Sequence, residues 1–341
     1  MNSFRYYFSS SGTLFAFFIA LTVSILACKP NDDNTPAVST IAEIIANGNG
    51  SVTNQFTLLN RALARTQLNG ALGQSGTYTL FAPTNTAFGL LGYTTEAAID
   101  NAPVVLLTQV LNYHILGSKL ESTSIATGIN TPQQTLGGGT LFITKASSTT
   151  ASSPTISVNG ARIVQANITA SNGIIHVIDR VMLPPAFGNV ASTISGIPTL
   201  LPTASFTFLN AAVTRAGLVS SLTATSGGPI TVFAPTDAAF TASVPSLTSV
   251  AAVNALPVTQ LQQILAYHVI PNNRLYTPLI TNGTSLTTSL AGATLTAGVS
   301  TTGVTVLGRG NGSTASNITG PDVSATNGVV HVIDRLLIPA Q

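Results

Sequence analysis

Four histidines carry the densest chemistry in this sequence. They fall in two pairs, His114 with His176 and His268 with His331. Imidazole is the commonest transition-metal ligand and the usual general base near neutral pH. Each pair supplies only two ligands, and no spacing places a third, so no metal site is expected. His176 precedes Asp179 and His331 precedes Asp334 at a separation that, on a strand, points the two side chains to opposite faces. They do not form a dyad. No serine lies in a GxSxG elbow. The glycine runs Gly137–Gly139 and Gly308–Gly312 lack the Lys-Ser/Thr of a phosphate cradle. These residues point away from an enzyme and from any cofactor, and predict buried rings satisfied by backbone groups.

The histidines sit in motifs that occur twice. Ser171 to Pro184 reads SNGIIHVIDRVMLP, and Thr326 to Pro339 reads TNGVVHVIDRLLIP. Asn172-Gly173 and Asn327-Gly328 open the two copies as turns, because glycine readily takes a positive φ. The β-branched run that follows predicts a strand buried on at least one face and ended by proline. Asp179-Arg180 and Asp334-Arg335 read as exposed strand ends or structural charge pairs. Tyr113-His114 and Tyr267-His268 each close a helix begun at Pro103 or Pro257, a position proline tolerates. Upstream, YTLFAPTNTAF (Tyr78 to Phe88) matches ITVFAPTDAAF (Ile230 to Phe240), an apolar strand stopped by proline and followed by a capped helical turn.

Phe56 to Leu68 and Phe206 to Leu218 show helical apolar spacing, with Gly70 and Gly217 as stops. Thr40 and Glu43 have capping-box spacing. Matching Ser39-Thr40-Ile41 to Ser192-Thr193-Ile194 puts Gly196 in place of the Glu, with Pro198 close behind. The second helix is therefore expected to be shorter or frayed. Leu136 to Lys145 reads as strands around the glycine run, and Thr155 to Ala166 as a hairpin turning at Asn159-Gly160. In the second copy Gly308–Gly312 replaces that turn, and a looser sheet edge is expected there.

The 341 residues suffice for two domains. Only 6% are charged while 45% are hydrophobic, so Ser, Thr, Asn and Gly supply the polarity. That balance suits a β-rich exported protein and argues against disorder, which combines low hydrophobicity with high net charge. The net charge of +2 is spread along the chain. Without a basic stripe, nucleic acid is excluded as a partner.

The N-terminus reads as an export signal over residues 1–27. Arg5 precedes an apolar run, Leu14 to Ala27, that is shorter than the roughly 20 residues needed to span a bilayer. The run ends Ile25-Leu26-Ala27-Cys28, similar to a bacterial lipobox except that Leu26 stands where a small residue is usual. Cys28, the only cysteine, is the expected lipidation site. Residues 28–37 then form a tether carrying Asp32 and Asp33, and the lipid would hold the protein on a membrane. The expected location is the outer membrane or cell surface, or its periplasmic face. The Asn-X-Ser/Thr sequons at Asn167, Asn282, Asn311 and Asn317 read as chance.

Taken in order, Phe81-Ala82-Pro83-Thr84 with Phe88, Tyr113-His114, and Asn172-Gly173 through His176 and Asp179 to Pro184 resemble the fasciclin-like domain family. Phe233-Ala234-Pro235-Thr236, Tyr267-His268, and Asn327-Gly328 through His331 and Asp334 to Pro339 repeat the resemblance. It covers nearly all of the chain after Pro36 and divides it into domains 38–187 and 188–341. It implies a mixed β/α, mainly β fold: two tandem β-wedge or sandwich domains of about seven strands each, with short helices packed on each. It further implies cell-surface adhesion to matrix, extracellular polysaccharide or a surface protein, without shared catalytic machinery. By position Tyr113, His114, Tyr267 and His268 match a segment implicated in ligand contact in some animal members; the structural alternative is that the ring is buried at the helix-to-strand junction. A second functional reading is carriage of an apolar small molecule such as a carotenoid. A third, a glycan hydrolase, needs paired carboxylates, for which the second half offers only Asp237, Asp322 and Asp334.

Overall fold

The computed structural model describes residues 38–48, 54–146, 155–201 and 204–340. The expected export segment, Cys28 and the tether lie outside them. Among the described residues each half of the chain builds the same unit. The first carries helices α1 (Ile41–Asn47), α2 (Thr57–Arg65), α3 (Leu68–Leu72), α4 (Asn85–Gly89), α5 (Glu96–Asn101) and α6 (Val104–Tyr113). Its strands are β1 (Tyr78–Pro83), β2 (Ile115–Leu116), β3 (Gly128–Gln134), β4 (Thr140–Ala146), β5 (Thr155–Val158), β6 (Ala161–Ala170) and β7 (Gly173–Ile178). The second carries α7 (Val190–Leu200), α8 (Thr207–Arg215), α9 (Val219–Thr223), α10 (Asp237–Ser243), α11 (Val250–Asn254) and α12 (Val258–Tyr267). Its strands are β8 (Ile230–Pro235), β9 (Val269–Ile270), β10 (Ser285–Thr287), β11 (Thr294–Ser300), β12 (Gly303–Gly308), β13 (Ser316–Ala325) and β14 (Gly328–Ile333).

The seven-stranded sheets run β2-β1-β7-β6-β5-β4-β3 and β10-β11-β12-β13-β14-β8-β9. Neighbours are antiparallel except for one interior pair in each sheet, where β7 pairs with β1, and β14 with β8, in parallel. This placement explains the motif strand. GIIHVI and GVVHVI are buried at every position, so they show no polar alternation, as expected for strands covered on both faces. On one face Ile175 and Val177 join a core with Ile41, Leu59 and Leu80 beneath the helices. On the other, Ile178 joins Phe81, Tyr113 and Leu141 in a second core closed by the curl of the sheet. The second half repeats both cores.

Local signals act as read at several points. Thr84 and Thr236 accept from the backbone N–H of Ala87 and Ala239 at 3.2 Å, capping α4 and α10 just past the strand-ending prolines. Thr40 and Glu43 close a capping box on α1. Asn159 and Gly160, at φ 45° and 85°, turn the β5–β6 hairpin.

Four expectations are corrected. α7 is longer than α1, not shorter, because the copies align one turn earlier than the Ser-Thr-Ile match suggests. Asn189, not Thr193, is its cap, accepting from Ser192 N at 3.0 Å, and Pro198 is accommodated inside the helix. The Gly308–Gly312 loop is not loose and not at an edge. β12 is interior to the sheet, Asn311 donates to Leu336 O and accepts from Ile338 N, both at 2.8 Å, and Gly310 N donates to Ile338 O at 2.8 Å. Leu136 and Gly137–Gly139 form a turn, with β3 already ended at Gln134. The helix from Phe56 stops at Arg65, where Thr66 N bonds back to Ala62 O, and Gly70 lies inside the separate α3.

Candidate functional site

The parallel strand pair fixes where the motif residues go. Gly173 and Gly328 face the neighbouring parallel strand so closely that a Cβ would collide with the carbonyl of Tyr78 or Ile230. Close approach, rather than a positive-φ turn, is what requires glycine at Gly328, which keeps an ordinary φ. The asparagine before each glycine ties three segments together. Asn172 accepts from Ile41 N at 2.9 Å and donates to Leu72 O and Gln74 O at 2.6 and 2.8 Å. Asn327 accepts from Val190 N at 2.8 Å and donates to Leu222 O and Ala224 O at 3.0 and 2.8 Å.

All four histidines are buried, and both nitrogens of each are engaged by backbone. His114 Nδ1 bonds Val110 O at 2.7 Å, one turn back in α6, and its Nε2 accepts from Met182 N at 3.0 Å. His268 repeats this with Ile264 O and Leu337 N. His176 Nε2 bonds Leu120 O at 2.8 Å while Nδ1 accepts from Asn167 N at 3.3 Å. His331 does the same with Leu275 O and Asp322 N. A carbonyl can only accept, so each ring carries its single proton on the nitrogen facing the carbonyl and is neutral. Burial pushes His114 and His268 down to about 4. It also lowers His176 and His331, the latter against the opposing pull of Asp322. With both nitrogens occupied, no ring has a lone pair for a metal. Among the described residues no three His, Cys, Asp or Glu side chains gather at one point.

The other candidates are framework groups as well. Tyr113 and Tyr267 are buried, and their hydroxyls donate to Thr140 O and Thr294 O at 2.7 Å. Burial raises Tyr113 to about 12. The Tyr-His side chains therefore lie behind the sheet, and contact with a ligand would require the helix-to-strand junction to open. Asp179 and Asp334 do not meet the histidines or their neighbouring arginines; each accepts from the adjacent strand, from Arg162 N and Asn317 N at 2.7 Å. Asp237 accepts from Thr207 Oγ1 at 2.6 Å and Phe208 N at 2.8 Å. Burial works against its charge, but these hydrogen bonds, with one from Ser205, hold it below the usual carboxylate range.

Sequence reasoning missed the joint between the two halves. Asn167 and Asp322 occupy equivalent bulges at φ 60° and 63°. Asn167 accepts from Ser122 N at 2.9 Å, and Asp322 from Thr277 N at 2.6 Å. The carboxylate then does what the amide cannot. It pairs at 3.1 Å with Arg180 of the first half, and its side chain packs against Gly160, where a Cβ would collide. Nearby, Arg274 lies 4.5 Å over the Phe142 ring and its carbonyl accepts from Asn130 Nδ2 at 2.8 Å. The one signal was the exchange of Asn for Asp between otherwise matching blocks.

Two copies of one β-wedge, each braced by the same histidines, asparagine and glycine and fastened by a half-buried ion pair, define a tandem-domain framework protein. The chain belongs to the fasciclin family: the fasciclin domain model matches residues 54–184 and 204–339. It is similar to transforming growth factor-beta-induced protein ig-h3 of Sus scrofa, at 29% identity over 91% of this chain and 41% of that protein. Protein sll1483 of Synechocystis is 35% identical over 44% of this chain and 77% of that protein. Immunogenic protein MPB70 of Mycobacterium bovis is 34% identical over 39% and 65%, respectively. The chain thus spans about two fifths of the ig-h3 protein's length. A solved FAS1 domain pair from the insect cell adhesion molecule fasciclin I is 18% identical, covering 86% of this chain and 94% of that one, with a TM-score of 0.37.

Proposed function

We propose that this chain is an exported adhesion protein, held on a membrane by lipid at Cys28, whose two fasciclin domains contact polysaccharide, matrix or a surface protein. The observation that carries the reading is the engagement of the motif side chains. The four histidines and the carboxylates of Asp179, Asp237, Asp322 and Asp334 are all bonded to partners within the fold. Conserving shape in two copies suits a rigid spacer that presents a surface. That surface is poor in charge and rich in Ser, Thr and Asn, which suits hydrogen bonding to neutral glycans. Among the described residues no helix is long and apolar enough to cross a membrane. Cys28→Ser should release the protein from the membrane fraction and abolish acylation of the N-terminal peptide. A deletion strain should attach less well to surfaces and to other cells. Unchanged attachment would overturn the adhesive role, and an unacylated N-terminus would overturn the anchor.

A further inference from the structure

The second domain contains an apolar cavity of about 290 Å³ beneath α8, α9 and α12, with β8 and β9 as its floor. Its wall includes Val213, Ile230, Val232, Ala266, Val269 and Ser289. The first domain aligns side chain by side chain at this place. Phe56 and Phe206 start equivalent helices, and Leu136 N and Ser289 N donate to Ile115 O and Val269 O, both at 2.8 Å. The six counterparts are Leu63, Tyr78, Leu80, Asn112, Ile115 and Leu136, and every one is larger. Shared wall residues register the difference. Leu72 and Leu111 are 1% exposed in the first domain, whereas Leu222 and Leu265 are 8% and 7% exposed in the second. Of the seven lining positions that differ, six are smaller in the second domain and one, Ser221 for Ala71, is about equal in size. Drift in a packed core does not favour that direction, because each lost methylene leaves a cost when nothing fills the space.

We propose that this cavity is a binding site, absent from the first domain's packing scheme, for an uncharged single-tailed apolar molecule. An engineered apolar cavity of about 150 Å³ takes up benzene, so this one suits a tail of roughly ten carbons by the same proportion. No charged residue lines the wall, and the polar groups at the rim are the hydroxyls of Ser221 and Ser289. His268 also lines the cavity, but as a neutral ring with both nitrogens bonded it offers no counter-charge. The rim therefore offers hydrogen bonds to an alcohol or ester and no counter-charge to a carboxylate.

The site is independent of the adhesive reading. The test is calorimetric titration of the purified full chain with 1-decanol and, separately, with decanoate at neutral pH. 1-Decanol should bind saturably with a 1:1 stoichiometry, and decanoate at least tenfold more weakly. The variant Val213→Leu/Ile230→Tyr/Val232→Leu carries the first domain's own residues and should weaken decanol at least tenfold while raising the melting temperature. Should that variant misfold, Ser289→Leu at the exposed rim gives the same readout without touching the core. Absence of saturable decanol binding, or binding that neither variant weakens, overturns the proposal. Decanoate binding as tightly as decanol overturns the assigned ligand class.

Discussion

The two domains differ least where their chemistry is richest and most where it is plainest. Asn172 and Asn327 and the four histidines make the same bonds in both copies, often within 0.1 Å. Tyr113 and Tyr267 both donate to a strand carbonyl at 2.7 Å, though Tyr113 accepts from Asn159 Nδ2 and Tyr267 from Arg309 N. The differences lie at the joint between the domains and around the cavity of the second. The segment Arg274, Tyr276, Thr277 faces the first domain, while its counterparts Lys119, Glu121 and Ser122 face solvent, with Lys119 and Glu121 paired at 2.9 Å. One face of the second domain is thus built to receive a neighbour and the same face of the first is not. The lesson is that the repeated motif specifies the fold, and individuality is written in the ordinary residues around it.

Removing the shared asparagine tie should have the largest effect. Asn172→Ala and Asn327→Ala each strand one buried N–H and two carbonyls, which should cost at least about 3 kcal/mol. Calorimetry of the two variants reads whether the costs match. If both lower a single transition equally, the domains are energetically equivalent and melt together. Two transitions, one shifted in each variant, would show that the joint does not couple them.

Acid should act next most strongly, and on both domains alike. His114 and His268 have folded pKa values of about 4 against an unfolded value near 6.5. Between these pH values the unfolded chain binds more protons, so stability is fully present above about 6.5 and falls as pH drops towards 4. The loss levels off below that and amounts to about 3 kcal/mol per ring. Urea midpoints from pH 7.5 to 3.5 measure it, and histidine NMR titration assigns it. A histidine titrating near 6.5 in the folded protein would contradict the buried, doubly bonded rings.

How far the sequence reveals this molecule depends on the range of the interaction. Prolines ending β1 and β8, threonine caps beside them, and the Asn159-Gly160 turn act within a few residues, so their patterns can be read directly. The buried histidines follow from the absence of any third ligand. Asn172 could be seen as a turn residue only, because its partners Ile41 and Leu72 lie 131 and 100 residues away. The α7 register failed because Ser192-Thr193-Ile194 imitates Ser39-Thr40-Ile41, whereas the true marker is which N–H the distant Asn327 caps. The Asp322–Arg180 joint spans 142 residues and leaves only one Asn-to-Asp exchange as its trace.

That exchange supplies a smaller prediction. Asp322→Asn keeps the acceptor for Thr277 N, as Asn167 does for Ser122 N, but removes the partner of Arg180. Arg180 is 34% exposed and can turn to water, so the cost should be about 1–2 kcal/mol. Asp322→Ala should cost more, because it also strips the backbone bond and places alanine at φ 63°. The reciprocal Asn167→Asp should stay within about 0.5 kcal/mol. Equal costs at the two bulges would mean that the ion pair contributes nothing to the joint. Small-angle scattering of Asp322→Asn shows whether the domain arrangement loosens as expected.

The smallest effect decides the register of the two copies. If Ile41 matches Val190, then Thr40→Ala and Asn189→Ala remove equivalent caps, and each should cost about 1 kcal/mol. Ser192→Ala should cost less than about 0.5 kcal/mol, since its hydroxyl only meets the cap at 3.2 Å on an exposed turn. Thr193 is the telling position. Its hydroxyl is buried without a hydrogen-bond partner, so replacing it by an isosteric methyl removes an unsatisfied polar group. Thr193→Val should therefore be neutral or stabilising, where a true N-cap threonine would be weakened by the same change. Urea midpoints at constant m-value give the comparison. A loss at Thr193→Val matching that at Thr40→Ala would restore the Ser-Thr-Ile alignment of α1 with α7.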